Sequence, residues 1–575
     1  MSILDIKNIH IDFPTSKGVV HAVTDVTLSV EKGRRIGFIG ESGSGKTTTA
    51  LAAMRMLANP GFVASGEVHL NSLDGDTNVL HLDEEGMRRV RLRKISYIPQ
   101  GAMNSLNPVM RVEAQIWDAV VAHEGAMEQA ALQARSDAAL NGVGLDPRVV
   151  GRLYPHELSG GMKQRVCIAI GTCLTPDLII ADEPTSALDV ITQRHVMQTL
   201  REMQAKIGAG LILIGHDMGL MAQSVDDIAV LKKGVLVEFG PVRKIIEDAT
   251  HPYTRELISS VPLVGGESFL QAQAAPPKGE ALDVPLLELD GVSKVYGSVT
   301  ALHPMSFALD GEEPKIISIV GQSGSGKSTM GSLMLGFNDP TGGQVRFKGD
   351  DINAMNAAER LEFRKQVQAV FQDPYACFNP FYRVNHALKF PFENFGMQGD
   401  VDAAMREACE AVGLDPGLVL GRYPHQLSGG QRQRLIVARA LMLSPKLLIA
   451  DEPVSMVDAS LRATILANIH DLKDKHGISI IYITHDLATA YHVSDYVMVL
   501  YHGHVVEAGP PTEVIGDPQH AYTRLLIDSI PWPDLDRDWG DAGDARAALD
   551  KLAEIGGTPE TVYRGDIPGF TLRQG

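Results

Sequence analysis

The chain has 575 residues of ordinary globular composition, with 52 Lys plus Arg against 70 Asp plus Glu and a formal charge of -18 at pH 7. That length is too great for one ordinary core, so at least two domains are expected. The acidic balance argues against a large phosphate-backbone interface and against bulk nucleic-acid binding, while leaving room for a local basic patch. No basic-then-apolar leader and no run of about 18 apolar residues is present, which predicts a protein cytosolic in itself whose membrane association comes through partners. The four cysteines form no C-x-x-C pair and are expected to be reduced, buried thiols.

From the N-terminus, Ile3 to Ile11 is rich in β-branched residues and partly alternates, predicting a strand covered on one face. The apolar run Ile36-Gly37-Phe38-Ile39 then enters Gly40-Glu41-Ser42-Gly43-Ser44-Gly45-Lys46-Thr47-Thr48, a match to G-x-x-x-x-G-K-[ST]. Such glycines let backbone N–H groups curl around a phosphate at a helix N-terminus, Lys46 neutralises β/γ oxygens, and Thr47 offers a hydroxyl to Mg2+. Arg88, Arg89, Arg91, Arg93 and Lys94 fall in a helix–strand junction and read as a solvated face. Further on come Gln100, the helix start Leu158-Ser159-Gly160-Gly161, the buried-strand pattern ending in Asp182-Glu183, and His216 after another apolar run. Asp182 at such a strand end suits Mg2+ through its water shell, and Glu183 suits a general base that polarises the attacking water.

Residues 263–284, with Gly265-Gly266 and Pro276-Pro277, have no sustained period and read as a linker. Leu286 to Val292 then opens the second half as the first opened. The same signals recur in order: Gly321-Gln322-Ser323-Gly324-Ser325-Gly326-Lys327-Ser328-Thr329, Gln372, Ser428-Gly429-Gly430, Asp451-Glu452 and His485. From the signature serine to the histidine the repeat is gap-free at 269 residues. Each signal alone has an ordinary reading: a glycine-rich turn, a solvated strand end, a serine N-cap, a hydrogen-bonded histidine. Recurring together in one order, they predict two nucleotide sites.

This order resembles the nucleotide-binding domain of ATP-binding cassette proteins and covers nearly all of both halves. The resemblance implies an α/β fold with two P-loop nucleotide-binding domains in tandem, each with a RecA-like core, an antiparallel β subdomain and a helical subdomain. Domains are expected at 1–262 and 285–530, with a tail at 531–575. ATP and Mg2+ are the implied cofactors, and a head-to-tail sandwich is implied in which Ser159, Gly160 and Gly161 close on the γ-phosphate at the Lys327 site. Ser428, Gly429 and Gly430 would close on that at the Lys46 site. His216 and His485 would contact the γ-phosphate and orient the Glu183 and Glu452 water pairs; Gln100 and Gln372 would touch Mg2+ or water, as Thr47, Ser328, Asp182 and Asp451 hold the ion. Tyr296, 25 residues before Gly321, fits the aromatic that stacks on adenine, with Phe13 as its candidate counterpart. Asp189 and Asp458 match the loop joining the sites, although Met456-Val457 replaces the usual Ala-Leu pair. Both halves keep Glu, His and signature Ser, so two hydrolytic sites are expected.

The stretches Asn104-Ser105-Leu106-Asn107-Pro108 and Asp373-Pro374, with His251-Pro252-Tyr253-Thr254 and His520-Ala521-Tyr522-Thr523, resemble the oligopeptide/dipeptide/nickel importer group. That implies two integral-membrane permease subunits as partners, an extracytoplasmic substrate-binding protein indirectly, no nucleic acid, and a peripheral place on the cytoplasmic face of the cell membrane. An iron–sulfur cluster is not expected, because no cysteine lies in the linker or tail. The alternative is a soluble tandem-cassette translation factor, which would need a charged helical linker and basic surfaces. The tail is expected to pack on the second domain, with a helix over Ala545 to Ile555.

Overall fold

The computed structural model describes the chain apart from residues 1, 16–17, 74, 102–104, 262–263, 265–281, 373–376, 455–458, 538, 540–560 and 574–575. The linker and the helix expected at Ala545 to Ile555 fall almost wholly in these gaps. Two compact units form: Met1–Val261 with Ile530–Asp544, and most of the remaining chain.

In the first unit, Ser2–Thr15 pairs antiparallel with Gly18–Glu31 and with Phe62–Leu73, and Gly75–Asn78 completes the row. Ile6 and Ile9 are both buried although an odd spacing separates them, because a bulge at Lys7-Asn8 resets the alternation and puts Asn8 at φ 46. The second sheet runs in the order 235–241, 227–232, 35–39, 210–215, 178–182, 95–98, parallel except for the hairpin at its start. Leu178–Asp182 and Gly210–Gly215 are buried throughout, which is why they read as unbroken apolar runs. Their C-terminal ends bring Gly40, Asp182 and His216 to one edge of the sheet, where an open α/β sheet binds ligands. Helices Val112–Glu124, Gln129–Gly142 and Gly160–Thr172 share a core with this sheet through Ile116, Leu140 and Val166.

The second unit repeats the plan. An antiparallel sheet is ordered 350–351, 342–347, 287–296, 299–309, 570–573, and a mostly parallel one 367–370, 447–451, 479–484, 316–320, 496–501, 504–509, 562–563. The tail supplies one strand to each: Val562–Tyr563 beside His504–Gly509, and Phe570–Arg573 beside Val299–Leu309. Phe570 is buried between Phe307 and Tyr496, with ring centroids at 5.5 and 4.7 Å; such burial is worth about 2–3 kcal/mol.

The tail is thus only partly an appendage of the second domain, because Ile530–Asp544 belongs to the first unit. Trp539 joins the first unit's core and Trp532 is equally buried. Gln223 Nε2 donates to the carbonyls of Trp532 (3.0 Å) and Asp534 (2.7 Å), which lie 309 and 311 residues downstream. A Cβ on Gly219 would lie 2.0 Å from the Pro531 carbonyl oxygen, so the close approach requires glycine. Trp539 buries its indole among apolar side chains, while Trp532 is buried with the Arg537 guanidinium 5.3 Å from its ring centre.

Candidate active site

Both phosphate loops turn between a buried strand, Arg35–Ile39 or Ile316–Val320, and a helix, Lys46–Ala52 or Lys327–Met334, whose first turn carries Thr47 and Thr48 or Ser328 and Thr329. Gly40 has φ 151, and a Cβ there would meet the Leu231 carbonyl oxygen at 2.2 Å; Gly321 has φ 154 and meets that of Leu500 at 2.3 Å. Space and conformation both demand glycine. Within the loops, Lys46 is buried and its Nζ donates to the carbonyls of Gly40 (2.6 Å) and Glu41 (2.9 Å); Lys327 does the same to Gly321 (2.7 Å) and Gln322 (2.8 Å). The lysines therefore hold the loops curled.

Thr47 Oγ1 donates to Asp182 Oδ1 at 3.2 Å. Burial raises the Asp182 carboxyl above its ordinary range, partly offset by hydrogen bonds from Tyr97 and Thr47. Burial likewise raises Asp451, with the charge of Glu452 adding to it and Ser328 opposing. The hydroxyl–carboxylate pairs are hard oxygen donors of the kind that take Mg2+ by one or two protein contacts beside phosphate and water. Among the described residues no three His, Cys, Asp or Glu side chains converge into a cage of their own. The residues present fit an ion shared with a phosphate.

Next to each aspartate, the glutamate is held from two sides. Gln100 Nε2 donates to Glu183 Oε2 at 2.6 Å, and His216 Nδ1 lies 3.2 Å from Oε1; for Glu452 the partners are Gln372 at 2.7 Å and His485 Nδ1 at 2.8 Å. Burial pushes the Glu183 carboxyl up, but His216, Lys46 and Gln100 outweigh it and hold it below the usual range. Glu452 is lowered in the same way by His485 and Lys327 against burial, while His485 is raised by Glu452 although burial opposes. Both glutamates adopt left-handed backbone, φ 43 and φ 49, pinned by Glu183 N donating to Ile214 O and Glu452 N to Ile483 O. An ionised carboxylate beside an imidazole, at the end of a strand next to a phosphate loop, can polarise a water.

The signature segments behave as helix starts. Ser159 caps Gly160–Thr172 by accepting from Met162 N, and Ser428 forms a capping box with Gln431. Their second glycines are buried for packing: a Cβ on Gly161 would lie 2.4 Å from Thr192 Cγ2, and one on Gly430 would overlap Leu461. Ser159 and Ser428 are exposed, and Gly160 and Gly429 are half-buried. Asp189 caps the helix Val190–Ile207, whereas Asp458 lies outside the described residues.

The aromatic candidates differ in setting. Tyr296 ends the strand Leu287–Tyr296 and is 45% exposed, with the Lys294 ammonium 5.0 Å from its ring centre. Phe13 is half-buried, and its ring lies 2.4 Å from where a Cβ on Gly61 would stand. The basic cluster is occupied by ion pairs, Arg88 with Glu85, Arg91 with Glu84 and Lys94 with Asp177, as a solvated face should be.

Sequence reasoning missed three hydroxyls. Tyr97 OH donates to Asp182 Oδ2 at 2.9 Å, and the corresponding position in the second half is Ala369, so the two sites differ here. Tyr253 OH accepts from Glu41 N (3.0 Å) and Tyr522 OH from Gln322 N (2.9 Å), both inside phosphate loops. The repeated His-x-Tyr-Thr was the available signal for the latter pair; Tyr97 had none beyond a polar-tipped aromatic in an apolar strand.

Comparison with known proteins places the chain among characterised relatives. The profile described as "ABC transporter" matches residues 23–186 and 302–455, and that described as "Oligopeptide/dipeptide transporter, C-terminal region" matches 237–282 and 506–557. The chain is 38% identical over 574 residues to the glutathione import ATP-binding protein GsiA of Salmonella typhimurium, covering 93% of this chain and 90% of that protein. Against GsiA of Escherichia coli K12 it is 37% identical over 563 residues, covering 92% and 90%. Among solved structures, the archaeal ribosome recycling factor aABCE1 in complex with stalk protein aP1 aligns with TM-score 0.55 at 19% identity, covering 86% of this chain and 88% of that one, a likeness of fold.

Proposed function

Because this chain belongs to the ABC transporter ATP-binding family and carries the oligopeptide/dipeptide transporter C-terminal region after each cassette, we propose how it acts as the ATP-hydrolysing subunit of a peptide-type importer. The observation that carries the reading is the doubled constellation: in each unit a glutamate is fixed between the Gln and the His, beside a lysine-bearing phosphate loop.

Lys46 and Lys327 bind the β/γ oxygens of ATP, and the loop amides cradle them. Thr47 with Asp182, and Ser328 with Asp451, would hold Mg2+, which when bound shields phosphate charge. Glu183 and Glu452 accept a proton from the attacking water, and His216 and His485 orient that water and contact the γ-phosphate. Ser159, Gly160 and Gly161, and Ser428, Gly429 and Gly430, would offer their helix starts to a γ-phosphate. Adenine stacks on Tyr296 at the second site; Phe13 carries that role less well at the first, its ring being engaged with the neighbourhood of Gly61.

The nucleotide cycle drives two permease subunits from the cytoplasmic face, and an extracytoplasmic binding protein delivers cargo to them. The relatives import glutathione, and a small peptide is the cargo class this reading favours. The test is to purify the chain by an affinity tag from detergent-solubilised native membranes and identify its companions by mass spectrometry. Two multi-span permeases are the expected result. Ribosomal proteins in their place would overturn the importer reading and favour a tandem-cassette translation factor.

A further inference from the structure

The tyrosines of the post-cassette segments reach into the phosphate loops by the same chain of contacts in both units. In the first, Glu238 accepts from Thr250 N (2.8 Å), Thr250 Oγ1 (2.7 Å) and His251 N (3.2 Å). His251 Nδ1 in turn accepts from Tyr253 N (3.2 Å), capping the helix Pro252–Ser259, and Tyr253 OH accepts from Glu41 N (3.0 Å). In the second, Glu507 accepts from Gln519 N (2.9 Å) and His520 N (3.0 Å), His520 Nδ1 from Tyr522 N (3.1 Å), and Tyr522 OH from Gln322 N (2.9 Å). Both tyrosines are buried, 3% and 0% exposed. Their rings rest on different neighbours, the Lys232 ammonium at 4.1 Å and the Tyr501 ring at 4.3 Å, yet the hydroxyl contact is the same.

The peptide units so held bear directly on the lysines. Glu41 is fixed at its N–H by Tyr253 and at its carbonyl by Lys46 Nζ; Gln322 is fixed likewise by Tyr522 and Lys327. We infer that Tyr253 and Tyr522 are positioning residues for ATP, acting through Glu41 and Gln322 on the loop that presents Lys46 and Lys327. The histidine-capped helix start is the rigid mount that aims each hydroxyl. This gives the region following each cassette a physical route to the nucleotide, one that the phosphate-loop motif does not contain. The inference rests on the reading of both loops as ATP sites.

Removing the hydroxyl takes a hydrogen bond from a part-buried N–H and loosens the peptide that sets the lysine, so the loss falls on nucleotide binding. The experiment uses the full chain with one hydrolytic site silenced by Glu452→Gln or Glu183→Gln. In the first background, Tyr253→Phe is expected to raise the KM for ATP about tenfold with kcat within about twofold, the size of one lost hydrogen bond. Tyr522→Phe should do so only in the second background. His251→Ala should reproduce Tyr253→Phe, whereas His251→Asn, which keeps a neutral side-chain acceptor, should restore the KM.

A KM within twofold of the parent at the altered site, or an equal change at both sites, overturns the inference. So does a lowered melting temperature with unchanged KM, the mark of a purely structural tyrosine. Binding of a fluorescent ATP analogue, with Lys46→Ala as the reference loss, separates the two layers. If Glu183→Gln and Glu452→Gln together leave turnover intact, the assignment of the hydrolytic glutamates fails, while the analogue still decides on the tyrosines.

Discussion

Glu183 and Glu452 combine chemistry with an unfavourable backbone, since left-handed φ costs a residue with a Cβ roughly 1–2 kcal/mol and both sit there at φ 43 and φ 49. Glu183→Gln should keep the fold while site-one turnover falls at least a hundredfold, measured with site two silenced. Glu183→Ala and Glu183→Gly both lose the carboxylate, but the glycine variant should be about 1 kcal/mol the more stable in denaturant unfolding, because only it is relieved of the strain. Glu238 offers a pH test: burial pushes its carboxyl up, but the surrounding groups of Thr254, Thr250 and His251 outweigh it and bring it down to about 2 from 4.5. Its stabilisation is present above the unfolded value and is lost as pH falls through the folded one. Glu238→Gln should therefore melt lower than the parent near neutral pH, by about 2–4 °C for a loss of about 1 kcal/mol in a unit this size. The gap should close as pH drops from 4.5 toward 2.

The helices and strands explain what could be read in advance and what could not. Buried parallel strands appear as apolar runs, and a serine at a helix start appears as a cap, because both depend on neighbours close in sequence. The phosphate loops, the buried strands ending in Asp-Glu and the signature helix starts were legible for that reason; the two-sheet plan and the places of Gln and His came only from the resemblance, which put Gln100 and Gln372 on Mg2+ or water and not on the glutamates 83 and 80 residues away. The Tyr253 to Glu41 hydrogen bond spans 212 residues and the Tyr522 to Gln322 bond 200, and no local pattern encodes a partner so distant. The second signature glycine was read as a phosphate contact; the packing of Gly160–Thr172 against Val190–Ile207 demands a glycine there in addition, with Thr192 Cγ2 2.4 Å from any added Cβ. Thr192 is β-branched and its hydroxyl bonds Asp189, so it cannot swing aside. Gly161→Ala should cost about 1–3 kcal/mol, visible as a lower midpoint in denaturant for the first unit with that of the second unchanged.

At the scale of the molecule, the first unit is not complete at Val261, since Ile530–Asp544 belongs to it and Trp532 and Trp539 are 7% and 8% exposed. Tryptophan has no periodicity to reveal where it docks, which is why the tail's division went unread. A fragment of residues 1–261 loses both indoles, each worth about 3 kcal/mol by burial. It should melt roughly 10 °C or more below the corresponding transition of the full chain and bind a hydrophobic dye that the full chain does not. Equal melting would mean that the seat of the indoles contributes nothing.

The strand Phe570–Arg573, which edges the antiparallel sheet of the second unit beside Val299–Leu309, ties folding to the order of synthesis. A ribosome makes Val299 to Leu309 more than 250 residues before its partner, roughly 13–50 s at ordinary elongation rates. Throughout that interval the edge of Val299–Leu309 offers unpaired amides and carbonyls of the kind that recruit stray strands. A nascent chain arrested after Asp528 would already contain every ATP-binding motif and still present that open edge. The quality of this protein is therefore decided late, by residues with no part in the chemistry.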